Sequence, residues 1–175
     1  YQSDTDISVS GGTDNTSYYW SIGYVDNEGP VLGDDFSSIR TRLNADFDIG
    51  QFLKIGVNAQ YSDRDESAVL ASLPLTASPY GSPFAEDGSV HRYAHGGSNA
   101  QNPLMNYYGR DRFRKINTLF AIGFAEIKLP FGIEHRVSFQ PYYRNLKDYN
   151  FYSSETITGG MNRSGGYGTR NSNER

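Results

Sequence analysis

Apolar and polar residues alternate along the chain between residues 39 and 62. Alternation with a period of two is the signature of a β-strand whose two faces meet different surroundings. The pattern occurs twice, with a short break near residue 50. The apolar sets are Ile39, Thr41, Leu43, Ala45 and Phe47, followed by Leu53, Ile55, Val57, Ala59 and Tyr61. The opposite sets are Arg40, Arg42, Asn44, Asp46 and Asp48, followed by Lys54, Gly56, Asn58, Gln60 and Ser62. Two adjacent antiparallel strands are therefore predicted.

Similar patterns predict four more strands, which makes six in this sequence. The six fall at about residues 6–13, 16–25, 36–48, 52–63, 113–129 and 133–153. The fifth fits least cleanly, because its even positions are apolar while its odd positions are only weakly polar. We assign it as a strand because β-branched and aromatic residues dominate it and helix caps are missing. The tail beyond about residue 155 is predicted to be loop.

The connections between the predicted strands alternate in length. Short connections fall at 13–16, 48–51 and 130–132, and longer ones at 26–35, at 64–112 and from 155 onward. Because successive antiparallel strands run in opposite directions, all short connections lie at one end of the sheet and all long ones at the other. This layout is typical of an outer-membrane β-barrel, with tight periplasmic turns and long extracellular loops.

The main alternative is a soluble all-β module, such as a carbohydrate-binding β-sandwich. Sandwich strands usually have about 5–6 residues, whereas a bilayer requires about 9–11 residues in each tilted strand. The predicted strands here have about ten residues or more, which favours a transmembrane barrel. Because the smallest single-chain barrels have about eight strands, we expect the six strands to be one segment of a larger barrel.

Composition adjusts this interpretation in three ways. The mean hydropathy of −0.63 is low, as expected if only alternate strand residues face lipid. The net charge of −4 and the absence of cysteine give no basic surface for nucleic acid and no thiolate or disulfide site.

No nucleophile elbow or phosphate-binding glycine loop is present, so no catalytic residue, cofactor site or enzyme activity is predicted. His91 and His95 are four residues apart, but neither a helix nor a third ligand accompanies them, so no metal site is predicted.

Several spaced motifs point to a known family. The first is the hairpin "SGGTDNTSYY" at residues 10–19. The others are the stretches 23–36 and 42–62, followed by "SPYGSPFAEDGS" at 78–89 and "NPL" at 102–104. In this order the motifs closely resemble the barrel of SusC-like TonB-dependent transporters (the RagA/SusC family) of Bacteroidetes. The match covers most of the chain and is strongest over residues 7–62.

The resemblance implies energised uptake across the outer membrane of a Gram-negative cell. Such transporters have a 22-stranded barrel and an N-terminal plug, draw energy through the TonB complex, and pair with a SusD-like surface lipoprotein. Their substrates are oligosaccharides or, as a second possibility, peptides. Residues 1–175 would then be a partial barrel domain in contact with outer-membrane lipid, with the plug domain and TonB box absent. The isolated segment is not expected to transport anything.

Candidate substrate-binding residues follow from the chemistry of sugars. Aromatic rings lie against sugar C–H faces, and planar polar groups bind the hydroxyls. The predicted set is Tyr80, Tyr93, Asn106, Tyr107, Tyr108 and Arg110 in or beside the long loop, with Arg40 and Arg42 on a strand. The alternative is that the loop rings pack against one another or against a partner lipoprotein. The strand arginines would then pair with neighbouring charges or fix the plug.

Overall fold

The fold is a single antiparallel β-sheet. The computed structural model describes residues 1–71, 80–93, 101–102, 104–160 and 166–174; His95 and parts of the motifs at 78–89 and 102–104 lie outside these ranges. The strands are β1 (Gln2–Thr13), β2 (Thr16–Glu28), β3 (Asp35–Ile49), β4 (Leu53–Asp65), β5 (Arg110–Leu129), β6 (Ile133–Phe139), β7 (Tyr142–Tyr152) and β8 (Tyr167–Glu174). Two short helices, α1 (Leu104–Gly109) and α2 (Ile157–Gly160), lie in the connections.

The strands are arranged in sequence order, and each pairs with the next. β6 and β7 both pair with β5 in one continuous register, from Leu129↔Ile133 to Arg110↔Tyr152. They are one strand interrupted at Pro141, which has no backbone N–H to donate. The carbonyl oxygen of Pro141 still accepts a hydrogen bond from the Ala121 amide at 3.1 Å. The single strand predicted at 133–153 is therefore confirmed, with one local interruption.

The prediction of loop for the whole tail is wrong, because Tyr167–Glu174 forms β8 beside β7. The sequence of β8, "YGTRNSNE", shows no apolar alternation that could reveal a strand. Backbone pairing with β7 defines it, and the rings of Tyr152 and Tyr167 stack with their centroids 6.3 Å apart. The first five strands are each longer than predicted; β5 has 20 residues.

The alternation of short and long connections is confirmed. The turns at 14–15, 50–52 and 130–132 lie at one end of the sheet, and the connections at 29–34, 66–109 and 153–166 lie at the other. In the turn at 130–132, Phe131 and Gly132 have φ angles of 71° and 74°. The connection at 66–109 includes α1, where the Leu104 amide donates a hydrogen bond to Asn102 Oδ1 at 3.1 Å, as at the N-terminus of a capped helix.

The sheet has almost no core of its own. Among the described residues, the only buried hydrophobic side chains are Val25, Ala45 and Ala71. A sheet with one apolar face normally packs that face against a second layer, and nothing in the described part of the chain forms such a layer. Within the described ranges, no helix is both long and apolar enough to cross a membrane. The all-β barrel-segment architecture predicted from the sequence is confirmed.

Candidate functional site

One face of the sheet is a continuous apolar surface, which we call the apolar face. Register brings its members together across strands, as in the row Val9, Trp20, Leu43 and Ala59. Its exposed hydrophobic residues include Ile7, Val9, Tyr18, Trp20, Ile22, Ile39, Leu43, Phe47, Ile55, Leu119, Ile127, Val137 and Phe139. An uncovered apolar surface of this extent marks contact with a membrane or a partner. Its position on alternate residues of every long strand fits the lipid-facing side of a barrel.

Several polar side chains of the apolar face are hydrogen-bonded to one another or to the backbone. The indole Nε1 of Trp20 donates to Thr41 Oγ1 at 3.0 Å, and Thr41 Oγ1 donates to the Ser21 carbonyl oxygen at 2.9 Å. Near the long-loop end, Asn117 Nδ2 donates to the hydroxyl of Tyr61 at 3.1 Å. In hydrocarbon, a polar group without a hydrogen-bond partner costs several kcal/mol, because no water is available to bond to it. These bonds make the face compatible with lipid.

The opposite side, which we call the polar face, is held together at β1–β3 by a charged cluster. Arg40 Nη2 donates to Asp4 Oδ1 at 2.6 Å, and to Asp6 Oδ2 at 2.9 Å. The bonds cross over β2 at Gly23, where an added Cβ would lie 2.1 Å from Asp6 Oδ1 and 2.9 Å from Arg40 Nε. This geometry favours a structural role for Arg40. Its predicted role in substrate binding stays a prediction.

Replacing Gly23 with alanine should displace this cluster. The added methyl group would force the carboxylate and guanidinium apart, which we expect to lower the free energy of unfolding only slightly, because exposed ion pairs contribute little. Gly123→Ala is the matched control, since Gly123 is also a strand glycine and a Cβ there would meet nothing within 4 Å. Urea unfolding in lipid vesicles would measure both. Equal stability of the two variants would contradict the proposed crossing.

Arg42 differs from Arg40 in having no ion-pair or hydrogen-bond partner among the residues that the structure describes. Its neighbours in register are Ser21 on β2 and Gln60 on β4, both uncharged. It lines two shallow cavities on the polar face, of about 420 and about 330 Å³. Arg42 thus presents an unpaired positive charge to the inner side of the sheet.

A second group of charges ties the base of the long loop to the strands. Arg64 Nε lies 2.7 Å from Glu66 Oε1, and Arg114 Nε lies 3.2 Å from Glu66 Oε2. Arg114 also reaches Asp148 on β7 at 3.9 Å. The amide of Glu66 donates to the Arg114 carbonyl oxygen at 2.9 Å. These contacts extend the β4–β5 pairing into the loop, so the loop starts from a fixed position on the polar face.

The predicted loop residues fall into different surroundings. Tyr80 is 96 % exposed, and Tyr93 pairs through its backbone with Gln101. The rings of Tyr107 and Tyr108 meet edge-on with centroids 5.0 Å apart. Tyr107 lies under the β2–β3 connection, 2.9 Å from an added Cβ at Gly33, whereas Tyr108 is 60 % exposed. The predicted roles of these four tyrosines in substrate binding remain predictions.

Asn106 and Arg110 complete the set. Asn106 Oδ1 is buried without a hydrogen-bond partner among the described residues. Arg110 Nε donates to Asn150 Oδ1 at 3.0 Å, and the guanidinium carbon lies 4.9 Å from the centre of the Tyr152 ring. Arg110 is therefore held against β7 at the start of β5.

A cavity of about 620 Å³ lies between the long loop and the β7–β8 connection. Of the predicted residues, it is lined by Tyr108. Its other lining residues, which the sequence did not single out, include Arg92, Met105 and Glu155. The structure therefore places Tyr108 in an outer cavity, and Arg42 separately on the polar face of the strands. Sequence pattern gives no signal for Glu155, because its position depends on how two distant loops meet.

Two local features shape this outer region. Asn102 is 1 % exposed, and its Nδ2 donates to the Pro83 carbonyl oxygen at 2.8 Å, which fastens two parts of the loop. Asp87 accepts hydrogen bonds from Ser89 Oγ at 2.6 Å and from the Ser89 amide at 2.9 Å. These bonds, the side-chain bond first, hold the pKa of Asp87 below its ordinary value. Both residues stabilise the shape of the loop.

Comparisons with known proteins agree with this geometry. No protein-family model matches the chain. The chain is 28 % identical over 158 residues to TonB-dependent receptor P39 of Formosa agariphila, a match that covers 86 % of this chain and 15 % of the receptor. It is 27 % identical to TonB-dependent receptor P26 of the same organism, with 86 % and 16 % coverage. The chain therefore spans about a sixth of these curated relatives or less.

Solved structures show the same fold. Structures of the RagAB peptide importer in the closed-closed and open-open states contain a chain that superposes on 99 % of this one, with TM-scores of 0.72 and 0.71. The sequence identities are 22 % and 24 %, and the match covers 20 % of the importer chain in each. The resemblance to SusC-like TonB-dependent transporters is thus confirmed in sequence and in fold, and the chain is similar to one segment of the barrel of these proteins.

Proposed function

We propose that this segment forms part of the wall of a TonB-dependent transporter in the outer membrane of a Gram-negative cell. Residues 1–175 are then a part of the barrel domain, and the plug and the TonB box belong to other parts of the transporter. The apolar face lies against lipid, and the polar face lines the interior. The short turns face the periplasm, and the connection at 64–112 faces the outside.

The observation that carries this proposal is the uncovered apolar face. A single-layer sheet exposes Trp20 (43 %), Ile7 (66 %) and Phe139 (74 %) on the same side. In water such a surface would aggregate or require a covering layer. In a bilayer it is the stable arrangement, provided that the sheet closes and no backbone edge remains unpaired. The similarity to proteins named TonB-dependent receptors supports the same conclusion.

We propose oligosaccharides as cargo, with peptides as the second candidate. A SusD-like lipoprotein would deliver the cargo at the long-loop end, where the outer cavity lies, and the TonB complex would supply energy through another part of the protein. Aromatic and planar polar groups near the cavity suit sugars. Peptides are the second candidate because RagAB, which contains a chain with this fold, is a peptide importer.

A soluble carbohydrate-binding module is the second candidate function. It would keep the aromatic loop residues as a binding surface. Against it, the described residues provide neither a second sheet nor a core, and isolated sandwich domains need both. Enzyme activity is not proposed, because the similar proteins are named as receptors and as a peptide importer.

Uptake by the full-length protein tests the proposal. The protein and its lipoprotein partner would be produced in a Gram-negative host that lacks other uptake systems for the supplied oligosaccharide or peptide. We expect the protein in the outer-membrane fraction, with uptake that stops when a protonophore collapses the inner-membrane proton gradient. A variant without the TonB box should insert normally but not transport. Recovery of the protein as a soluble monomer, or uptake unaffected by the protonophore, would contradict the proposal.

A further inference from the structure

The polar face carries an unexpected strip of apolar side chains on β5. Register places Phe120 opposite Gln60, Ile122 opposite Asn58 and Phe124 opposite Gly56. These even positions are the apolar set of β5, yet they lie on the same side of the sheet as the polar residues of β4. Phe120 is 40 % exposed, and Tyr142, its neighbour in register on β7, is 55 % exposed. Two accessible aromatic rings therefore stand on the side of the sheet that faces water.

The cavity of about 330 Å³ next to Phe120 combines this ring with planar polar groups. It is lined by side chains from three adjacent strands: Arg42 and Asn44 on β3, Asn58 and Gln60 on β4, and Phe120 on β5. Its described lining includes no carboxylate. Three carboxamides supply both donors and acceptors, and the guanidinium supplies further donors. The lining can therefore satisfy several hydroxyl groups on one side of a ligand whose other side is apolar.

We propose that this cavity is an oligosaccharide-binding subsite on the inner wall of the barrel, an inference that rests on the proposed transport function. A pyranose ring has an apolar C–H face, which would lie against Phe120, and a rim of hydroxyls, which would bond to Asn58, Gln60 and Arg42. Tyr142 extends the aromatic surface for the next sugar unit. Cargo would contact this subsite inside the barrel, separately from the outer cavity.

The charge arrangement favours sugars over other ligands. Arg40 is bonded to two carboxylates, so Arg42 is the arginine of β3 that is left to contact a ligand. An extended peptide could bind Arg42 through its carboxylate, but its ammonium group would find no carboxylate among the described residues that line the cavity. A simple anion would use Arg42 alone and leave Phe120 exposed to water. A polyhydroxylated ring uses the aromatic ring, the amides and the guanidinium together.

Calorimetric titration of the full-length protein in detergent tests the subsite. The probes are maltohexaose, cellohexaose, xylohexaose and mannohexaose, with penta-alanine as the peptide probe. For the sugar that binds, Phe120→Leu should lower affinity roughly ten-fold by removing the flat ring, and Phe120→Trp should preserve it. Phe113→Leu is the matched control, because Phe113 is an aromatic residue of β5 that is similarly exposed, at 41 %, on the opposite face of the sheet.

Three outcomes with the sugars and their variants would overturn the proposed subsite. They are unchanged affinity in Phe120→Leu, an equal loss in Phe113→Leu, and a wild-type protein that is correctly inserted but binds none of the four sugars. Binding of penta-alanine alone would also overturn it, while leaving the proposed transport function intact. Failure of the wild-type protein to insert into the outer membrane would instead contradict the proposed function itself. Heat-modifiable mobility on gels would confirm that each variant is folded.

Discussion

Leu43→Arg should strongly destabilise the protein in the membrane. Leu43 lies in the middle of β3 on the apolar face, between Trp20 and Ala59, and is 40 % exposed. Arginine at the bilayer midplane on the lipid side of a barrel costs about 2–4 kcal/mol. Urea titration in lipid vesicles would measure the loss as a lower free energy of unfolding, and heat-modifiable mobility would report the fraction inserted.

Asn44→Arg is the matched control, because Asn44 is the next residue on the same strand and lies on the polar face opposite Tyr19 and Asn58. An arginine there would point away from the apolar face, as Arg42 does two residues earlier on the same strand. We expect a change in unfolding free energy of about 0.5 kcal/mol or less, as for ordinary surface substitutions. If both variants lose the same stability, the assignment of faces is wrong.

Gly33→Ala should release the β2–β3 connection from the base of the long loop. Gly33 is buried with a φ of 79°, and an added Cβ would lie 1.9 Å from the Val69 carbonyl oxygen. The Ala71 amide donates to the Leu32 carbonyl oxygen at 2.9 Å in the same contact. The side chain therefore adds a backbone collision to the left-handed strain, together about 2–3 kcal/mol. Hydrogen exchange at residues 29–34 and 66–71 should become faster.

Gly88→Ala separates the two effects. Gly88 has a φ of 81°, but an added Cβ there would meet nothing within 4 Å. This variant should show only the strain, about 1 kcal/mol, with exchange confined to its own turn. Neither variant should affect insertion, since both sites lie in connections outside the sheet. The same degree of loosening in Gly33→Ala and Gly88→Ala would contradict the close packing of the two loops.

The sequence was sufficient to locate β3 and β4, because strict alternation over residues 39–62 defines both the strands and their two faces. It was not sufficient for β5, where both faces contain apolar residues. Only the pairing of Tyr61 with Leu119, and therefore of Gln60 with Phe120, decides which set lies on the apolar face. Register is a property of two strands, and a pattern within one strand does not contain it. β8 was missed for a related reason, since its pairing with β7 defines it.

Prediction from the sequence has the same limit at the candidate site. Arg40 and Arg42 are identical in residue type and share a face, so periodicity alone treats them alike. They differ because Asp4 and Asp6, on a strand that is not adjacent to β3, reach Arg40 across Gly23. Similarly, Tyr107 and Tyr108 are consecutive tyrosines, but the packing of a separate loop against one leaves the other exposed. Contacts between distant parts of the chain set these differences.

Lipid and water accessibility along β3 tests the central claim most directly. The segment contains no cysteine. In the full-length protein in nanodiscs, with any cysteine elsewhere replaced by serine, single cysteines would be introduced at each position from 39 to 47 and labelled with a nitroxide. We predict that molecular oxygen, which partitions into lipid, relaxes labels at odd positions most strongly. A water-soluble nickel chelate should act most strongly at even positions. Equal responses at odd and even positions would contradict the assignment of one face to lipid and the other to a water-filled interior.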